Sequence, residues 1–133
     1  MTCKSALYTA NVSNATIAAG GTIPFGGVIR RFGRNIDLNG SDISIRGNGY
    51  YLVNIAASLT ASAAGNATVT LLKDGVAVVG AFATETATEG GVVNIAITAL
   101  VRETGCTGSS QLSLGLTGIA VSAVNVSTVI EKL

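Results

Sequence analysis

Between residues 49 and 80 the apolar positions form two interlocking every-second-residue series. Tyr51, Val53, Ile55, Ala57 and Leu59 make up one; Tyr50, Leu52 and Ala56 make up the other, with Asn54 and Ser58 as polar interruptions. Side chains alternate across a strand, so this spacing predicts a strand that needs cover on both faces. A second sheet covers only one of them, which leaves the other for contact with another copy of the chain. Residues 92–102 repeat the pattern, with Val93, Ile95, Ile97, Ala99 and Val101 set against Val92, Ala96 and Leu100. Residues 111–117 differ: Leu112, Leu114 and Leu116 alternate with polar or glycine neighbours, the mark of a single buried face.

Turn signals divide the rest of the chain at short intervals. Residues 5–19 read as one or two edge strands, and the only proline, Pro24, marks a bend or strand start. Residues 28–32 form a short strand ended by Gly33. Residues 35–38 and 42–46 read as a hairpin around Asn39-Gly40, and residues 66–73 and 76–82 as a second one around Asp74-Gly75, because these residue pairs accept the positive φ of tight hairpin turns. A last strand covers residues 123–133. No segment keeps a helical period, so the expectation is an all-β sandwich or barrel of about eight to ten strands in a single domain spanning residues 1–133.

Composition turns attention from chemistry to assembly. Charged residues are 11% of the chain, against about 25% in an average soluble protein. Hydrophobic residues reach 48% and the mean hydropathy is +0.56. Few ions are available to solvate a monomer, and low charge favours self-association. A net charge of +1 gives no broad attraction to nucleic acid or to an anionic membrane. No apolar run is long enough to insert in a bilayer, and the first residues lack the continuous apolar core of a secretory signal, so a surface location implies arrival within a larger particle.

In order, the pieces GNGYYLVNIAASLTA, GNATVTLLKDGVAVVGAF and GGVVNIAITALVRETGCTGSSQLSLGL, preceded by NIDLNGSDISIRG, resemble the complement-globular-head and tumour-necrosis-factor-like jelly-roll family. The resemblance covers residues 36–133, and residues 5–33 fit the family's first strands loosely. The Ala/Thr/Val-rich wording without Trp is closer to bacterial and bacteriophage members, including the heads of collagen-like spore-surface proteins. The resemblance implies a jelly-roll sandwich of about ten strands that assembles as a compact homotrimer around a hydrophobic axis. It also implies display on a virion or on a bacterial cell or spore surface. Tyr50, Tyr51 and Leu52 match the family's aromatic strand, one face of which would line the subunit contact. Val93 and Ile95 join them as interface or core candidates, and Leu112, Leu114 and Leu116 match a later strand with a core role. No Gly-X-Y tract precedes the head, so trimerisation would come from the head itself. No acidic cluster resembles the calcium site of some members, so no bound ion is expected.

Chemistry has little to work with. There is no histidine, and the seven acids are scattered, mostly at turns and strand ends. This predicts a non-enzyme without cofactor or metal. Arg30, Arg31 and Arg34, with Arg46, are the one concentration of charge. Guanidinium groups suit a phosphate, an acidic sugar or an acidic partner, but strand alternation sends Arg30 and Arg31 to opposite faces, which favours a solvated strand end or inter-subunit ion pairs. Cys3 and Cys106 either form a disulfide or stay as free thiols, and two thiols alone make no zinc site. Asn11, Asn14, Asn66 and Asn125 open Asn-x-Ser/Thr triplets, read here as turn and strand residues. Two functions follow: a non-enzymatic, self-trimerising structural or display module that contacts other particle or surface proteins, or a glycan- or protein-binding recognition module. The second would use loops near residues 61–65, 85–90 and 103–110, which are poor in Trp, Tyr, Arg and His.

Overall fold

Two antiparallel sheets face each other across a common core in the computed structural model, which describes residues 4–104 and 109–133. Eleven strands are formed among the described residues: β1 (Ala6–Ser13), β2 (Thr22–Ile23), β3 (Gly27–Phe32), β4 (Ile36–Asn39), β5 (Asp42–Arg46), β6 (Gly49–Ala61), β7 (Gly65–Lys73), β8 (Val76–Ala87), β9 (Val92–Glu103), β10 (Ser109–Thr117) and β11 (Val121–Lys132). The first sheet runs β3-β1-β11-β6-β9 and the second β4-β5-β10-β7-β8, with β2 also paired to β10. Successive strands switch sheets at every link except the hairpins β4–β5 and β7–β8. This repeated crossing is the wiring of a jelly roll.

The alternation read from the sequence sets the inner layer. Tyr51, Val53, Ile55, Ala57 and Leu59 of β6 are buried, as are Val93, Ile95, Ile97 and Val101 of β9. Leu112, Leu114 and Leu116 of β10 face them from the second sheet with Val69 and Leu71 of β7. β6 is the longest strand and pairs along its length with both neighbours, Gly49↔Glu103 to Thr60↔Val92 on one side and Tyr51↔Lys132 to Ala61↔Val121 on the other. The link from β2 to β3 carries Pro24 and plugs the core with Phe25, which has no exposed surface. It crosses β1 so closely that a Cβ on Gly26 (φ 92°) would lie 2.1 Å from the Ala10 carbonyl oxygen, a place only glycine can fill. The Asn11 side-chain amide secures the crossing by donating to the Pro24 carbonyl at 3.0 Å.

Three elements differ from the sequence reading. The strand in residues 5–19 is not at an edge: β1 lies between β3 and β11, and only Ala6–Ser13 is regular, with Ile17 making a later bridge to Val121. Its alternation predicts a strand, but the partner is more than a hundred residues away and leaves no local trace. The first hairpin turns at Gly40-Ser41, because Asn39 pairs with Asp42. Gly40 takes φ 64° at the first central position, where a type II′ turn calls for glycine. β8 runs on to Ala87 and swells in the middle, where residues 78–81 lie opposite Leu71 alone, between the pairs Thr70↔Phe82 and Leu72↔Ala77. The second hairpin follows the sequence reading. Asp74 (φ 51°) and Gly75 (φ 81°) form its turn, and the Asp74 carboxylate accepts the Gln111 amide at 2.9 Å, fastening the turn to β10.

A polar network closes the end of the sandwich near Tyr51. The fully buried Tyr51 donates its hydroxyl to the carbonyls of Arg46 (2.6 Å) and Gly47 (3.0 Å). Asn35 donates to the Arg46 carbonyl at 2.7 Å and is held through two bonds to the Ser5 hydroxyl, at 3.0 and 3.1 Å. The buried Glu103 accepts a hydrogen bond from Ser110. Burial first, and then the negative Glu103, push the Tyr51 phenol above its ordinary value of 10.0, while Asn35 acts in the opposite direction. The folded state therefore holds this proton more tightly than the unfolded chain. Its contribution to stability is complete below pH 10.0 and is lost as pH rises through the raised folded value. Tyr51→Phe should cost about 1–2 kcal/mol in urea unfolding at neutral pH. The same variant should lose less stability than the native protein between neutral and strongly alkaline pH.

Candidate assembly face

The pairing register lays out the outer side of the first sheet row by row. One row reads Phe32, Ala6, Glu131, Leu52, Leu100 across β3, β1, β11, β6 and β9; the next reads Arg30, Tyr8, Val129, Asn54, Thr98. Beyond Leu52 and Leu100, Tyr50 stands opposite Arg102, whose guanidinium lies 5.7 Å from the centre of the tyrosine ring. In the other direction come Ala10, Ser127, Ala56, Ala96 and then Val12, Asn125, Ser58, Asn94. The face is therefore split. Toward the Tyr51 end it is large and apolar, with Tyr50 47%, Phe32 59%, Leu100 54% and Val129 41% exposed. From the Asn54–Thr98 pair toward the other end it is mostly small and polar, with Val12 the exposed exception, and polar side chains bond one another: Thr98 donates to Asn54 at 3.0 Å and Ser58 to Asn94 at 2.7 Å.

The apolar half continues around the β9 edge. Leu100, Val101 and the stem of Arg102 line a groove of about 450 Å³ whose opposite wall is Val76, Ala77 and Val78 of β8 with Lys73. The Lys73 ammonium bridges the two sheets by donating to the Arg102 carbonyl at 2.8 Å. The swelling in β8 leaves Val79 wholly exposed beside this groove. This surface combines aromatic and aliphatic anchors with Arg102, Lys73 and Arg30 at its margin and one acid, Glu131, within it between Ala6 and Leu52, a composition compatible with an interface.

The candidates from the sequence separate cleanly. Tyr51, Val93, Ile95, Leu112, Leu114 and Leu116 are buried in the core, and Tyr50 and Leu52 stand on the outer face. Tyr8, Phe32 and Val129 join the outer face from strands whose neighbours cannot be read locally; Tyr8 and Val129 are brought together only by the β1–β11 register. The arginines do not converge. Arg30 points outward beside Tyr8, while Arg31, on the other side of β3, pairs with Asp37, which also binds Arg46 at 2.8 Å. This ion cluster clasps β3 of the first sheet to β4 and β5 of the second. Arg34 is exposed in the β3–β4 link. Cys3 and Cys106 lie outside the described residues. Of the three loops named for a recognition site, residues 62–64 and 88–91 follow the ends of β6 and β8 at one pole, β9 ends at the other pole, and residues 105–108 of the third loop lie outside the described residues. Among the described residues no group of three or more Cys, Asp or Glu side chains could hold a metal ion.

No family model and no curated protein matches the chain. Solved structures do. The PRD1 vertex protein P5 superposes with a TM-score of 0.68 at 14% identity, covering 100% of this chain and 99% of that one. The globular domain of zebrafish complement 1qA gives 0.62 at 8% identity, covering 97% and 95%. The Eiger tumour necrosis factor of S. frugiperda gives 0.65 at 11% identity, covering 99% and 94%. The fold is thus the jelly roll that the sequence resemblance implied, and it extends over residues 5–33 as well.

Asp37→Ala should remove both arms of the Arg31–Asp37–Arg46 clasp. All three side chains are partly open to solvent, so the expected loss is under about 1 kcal/mol in low salt. Denaturant unfolding in 1 M NaCl should show that loss shrinking, because salt screens exposed pairs.

Proposed function

We propose that the protein is a non-enzymatic, self-trimerising structural or display module of a bacteriophage particle or bacterial surface. The observation that carries this reading is the uncovered apolar half of the first sheet: Tyr8, Tyr50, Leu52, Leu100 and Val129, on strands whose opposite side already forms the core, with Phe32 of the exposed β3 beside them. Burying such side chains contributes about 25 cal/mol per Å² of apolar area, and a second copy of the chain supplies apolar cover where water does not. A three-fold arrangement accords with the fold, and the small polar half of the same face gives a hydrated continuation of the contact. The scarcity of charge fits a protein that works as an assembly rather than as a dispersed monomer.

Light scattering at micromolar concentration should report a trimer for the native protein. Leu52→Asp places a charge on the outer face of β6 without touching the inner layer, so it should give a monomer with an unchanged far-ultraviolet circular dichroism spectrum. A native monomer, or a folded Leu52→Asp trimer, would count against the assembly. Immunogold labelling of purified particles and of intact cells tests the display role, which fails if neither carries the protein.

A further inference from the structure

We propose that the free edge of β3 is a docking strand for an extended, acidic segment of a partner protein, which adds to the first sheet beyond β3. Among the described residues the two sheets end in four edge strands, and three of these are short, strongly interrupted or covered. β4 is four residues long. β8 is swollen by residues 78–81, which interrupts its ladder. β9 packs beside β8 and is tied across by Lys73. β3 is longer than β4 and less interrupted than β8: its one irregularity is at Ile29, which its register with β1 skips, all six of its residues are exposed, it contains neither proline nor lysine, and among the described residues no strand lies on its far side. Alternate N–H and C=O groups of such an edge face outward and can accept another strand. Its side chains suit one: Val28, Ile29 and Phe32 are 45%, 53% and 59% exposed.

Charge selects the occupant. Arg31 is engaged by Asp37, but Arg30 and Arg34 have no ion-pair partner among the described residues. Pairing β3 with β3 of another copy would set guanidinium groups against one another, so the edge disfavours itself. A strand that alternates carboxylates with aliphatic residues meets the arginines and the apolar side chains together, with backbone hydrogen bonds fixing its register. This inference does not rest on the assembly proposed above, because the backbone edge of β3 is separate from the faces of the sheet, although Phe32 and Arg30 also border the outer face.

The test uses the full chain and a labelled peptide, acetyl-(Val-Glu)₄-amide, in fluorescence anisotropy. Two further peptides are N-methylated at the odd or at the even residues, and a fourth has Lys in place of Glu. The Glu peptide should bind saturably and slow amide hydrogen exchange in residues 27–32. One N-methylated form should lose at least tenfold in affinity while the other retains it, since only alternate amides face β3. The Lys peptide should not bind, and R30E/R34E, which alters two exposed side chains, should weaken the Glu peptide about five- to tenfold. No saturable binding of the Glu peptide, equal binding of both N-methylated forms, or protection confined to another edge would each overturn the proposal.

Discussion

The rest of the structure depends on a strand having two sides. Every second residue of β6 enters the core, and the period of two places the intervening Tyr50 and Leu52 on the opposite surface. β6 cannot move by one residue without driving Asn54 and Ser58 inward, so the inner alternation fixes the register with β9 and β11. Those two strands then bring Leu100 and Val129 to the rows of Leu52 and Asn54. The outer apolar patch is therefore a geometric product of the core: once the inner series is packed, the identity of each outer neighbour follows.

Apart from the exposed polar pairs on the strand faces, polar side chains fasten the fold at three places. At one pole Ser5, Asn35, Tyr51 and the carbonyls of Arg46 and Gly47 form a satisfied network that joins the start of β1 to two inter-sheet links. At the lateral opening the Arg31–Asp37–Arg46 cluster spans the two sheets, and on the opposite side Lys73 reaches the Arg102 carbonyl. In a chain with so few charges, these closures use four charged side chains, Arg31, Asp37, Arg46 and Lys73. The arginine concentration in the sequence thus resolves into one clasp and two free guanidinium groups, rather than a single pocket.

What was legible in the sequence was local. The alternations of β6, β9 and β10 identify Tyr51, Val93, Ile95 and Leu114 as residues with a common inward side, and Asp74-Gly75 marks its turn because few residue pairs accept that backbone. The Asn39-Gly40 turn was displaced by one residue, since Gly40 serves either as the second residue of a type I′ turn or as the first of a type II′ turn, and only the pairing of Asn39 with Asp42 decides between them. The inner position of β1, the swelling in β8 and the meeting of Tyr8 with Val129 depend on partners remote in sequence. No periodicity within a strand carries that information. The order of motifs carried it instead: the resemblance supplied the jelly-roll wiring that the residues alone left open between sandwich and barrel.

The place of β11 has a consequence for how the protein is made. It is the central strand of the first sheet, with β1 on one side and β6 on the other, so β1 lacks its inner neighbour until more than a hundred further residues have been made. Non-local pairing of this kind delays folding relative to synthesis. During that interval the apolar outer series of β6 and β9 is exposed together with unpaired strand edges. Exposed apolar series and unpaired edges are what misassociation requires, so the same alternation that builds the outer face also sets a hazard on the way to the folded state.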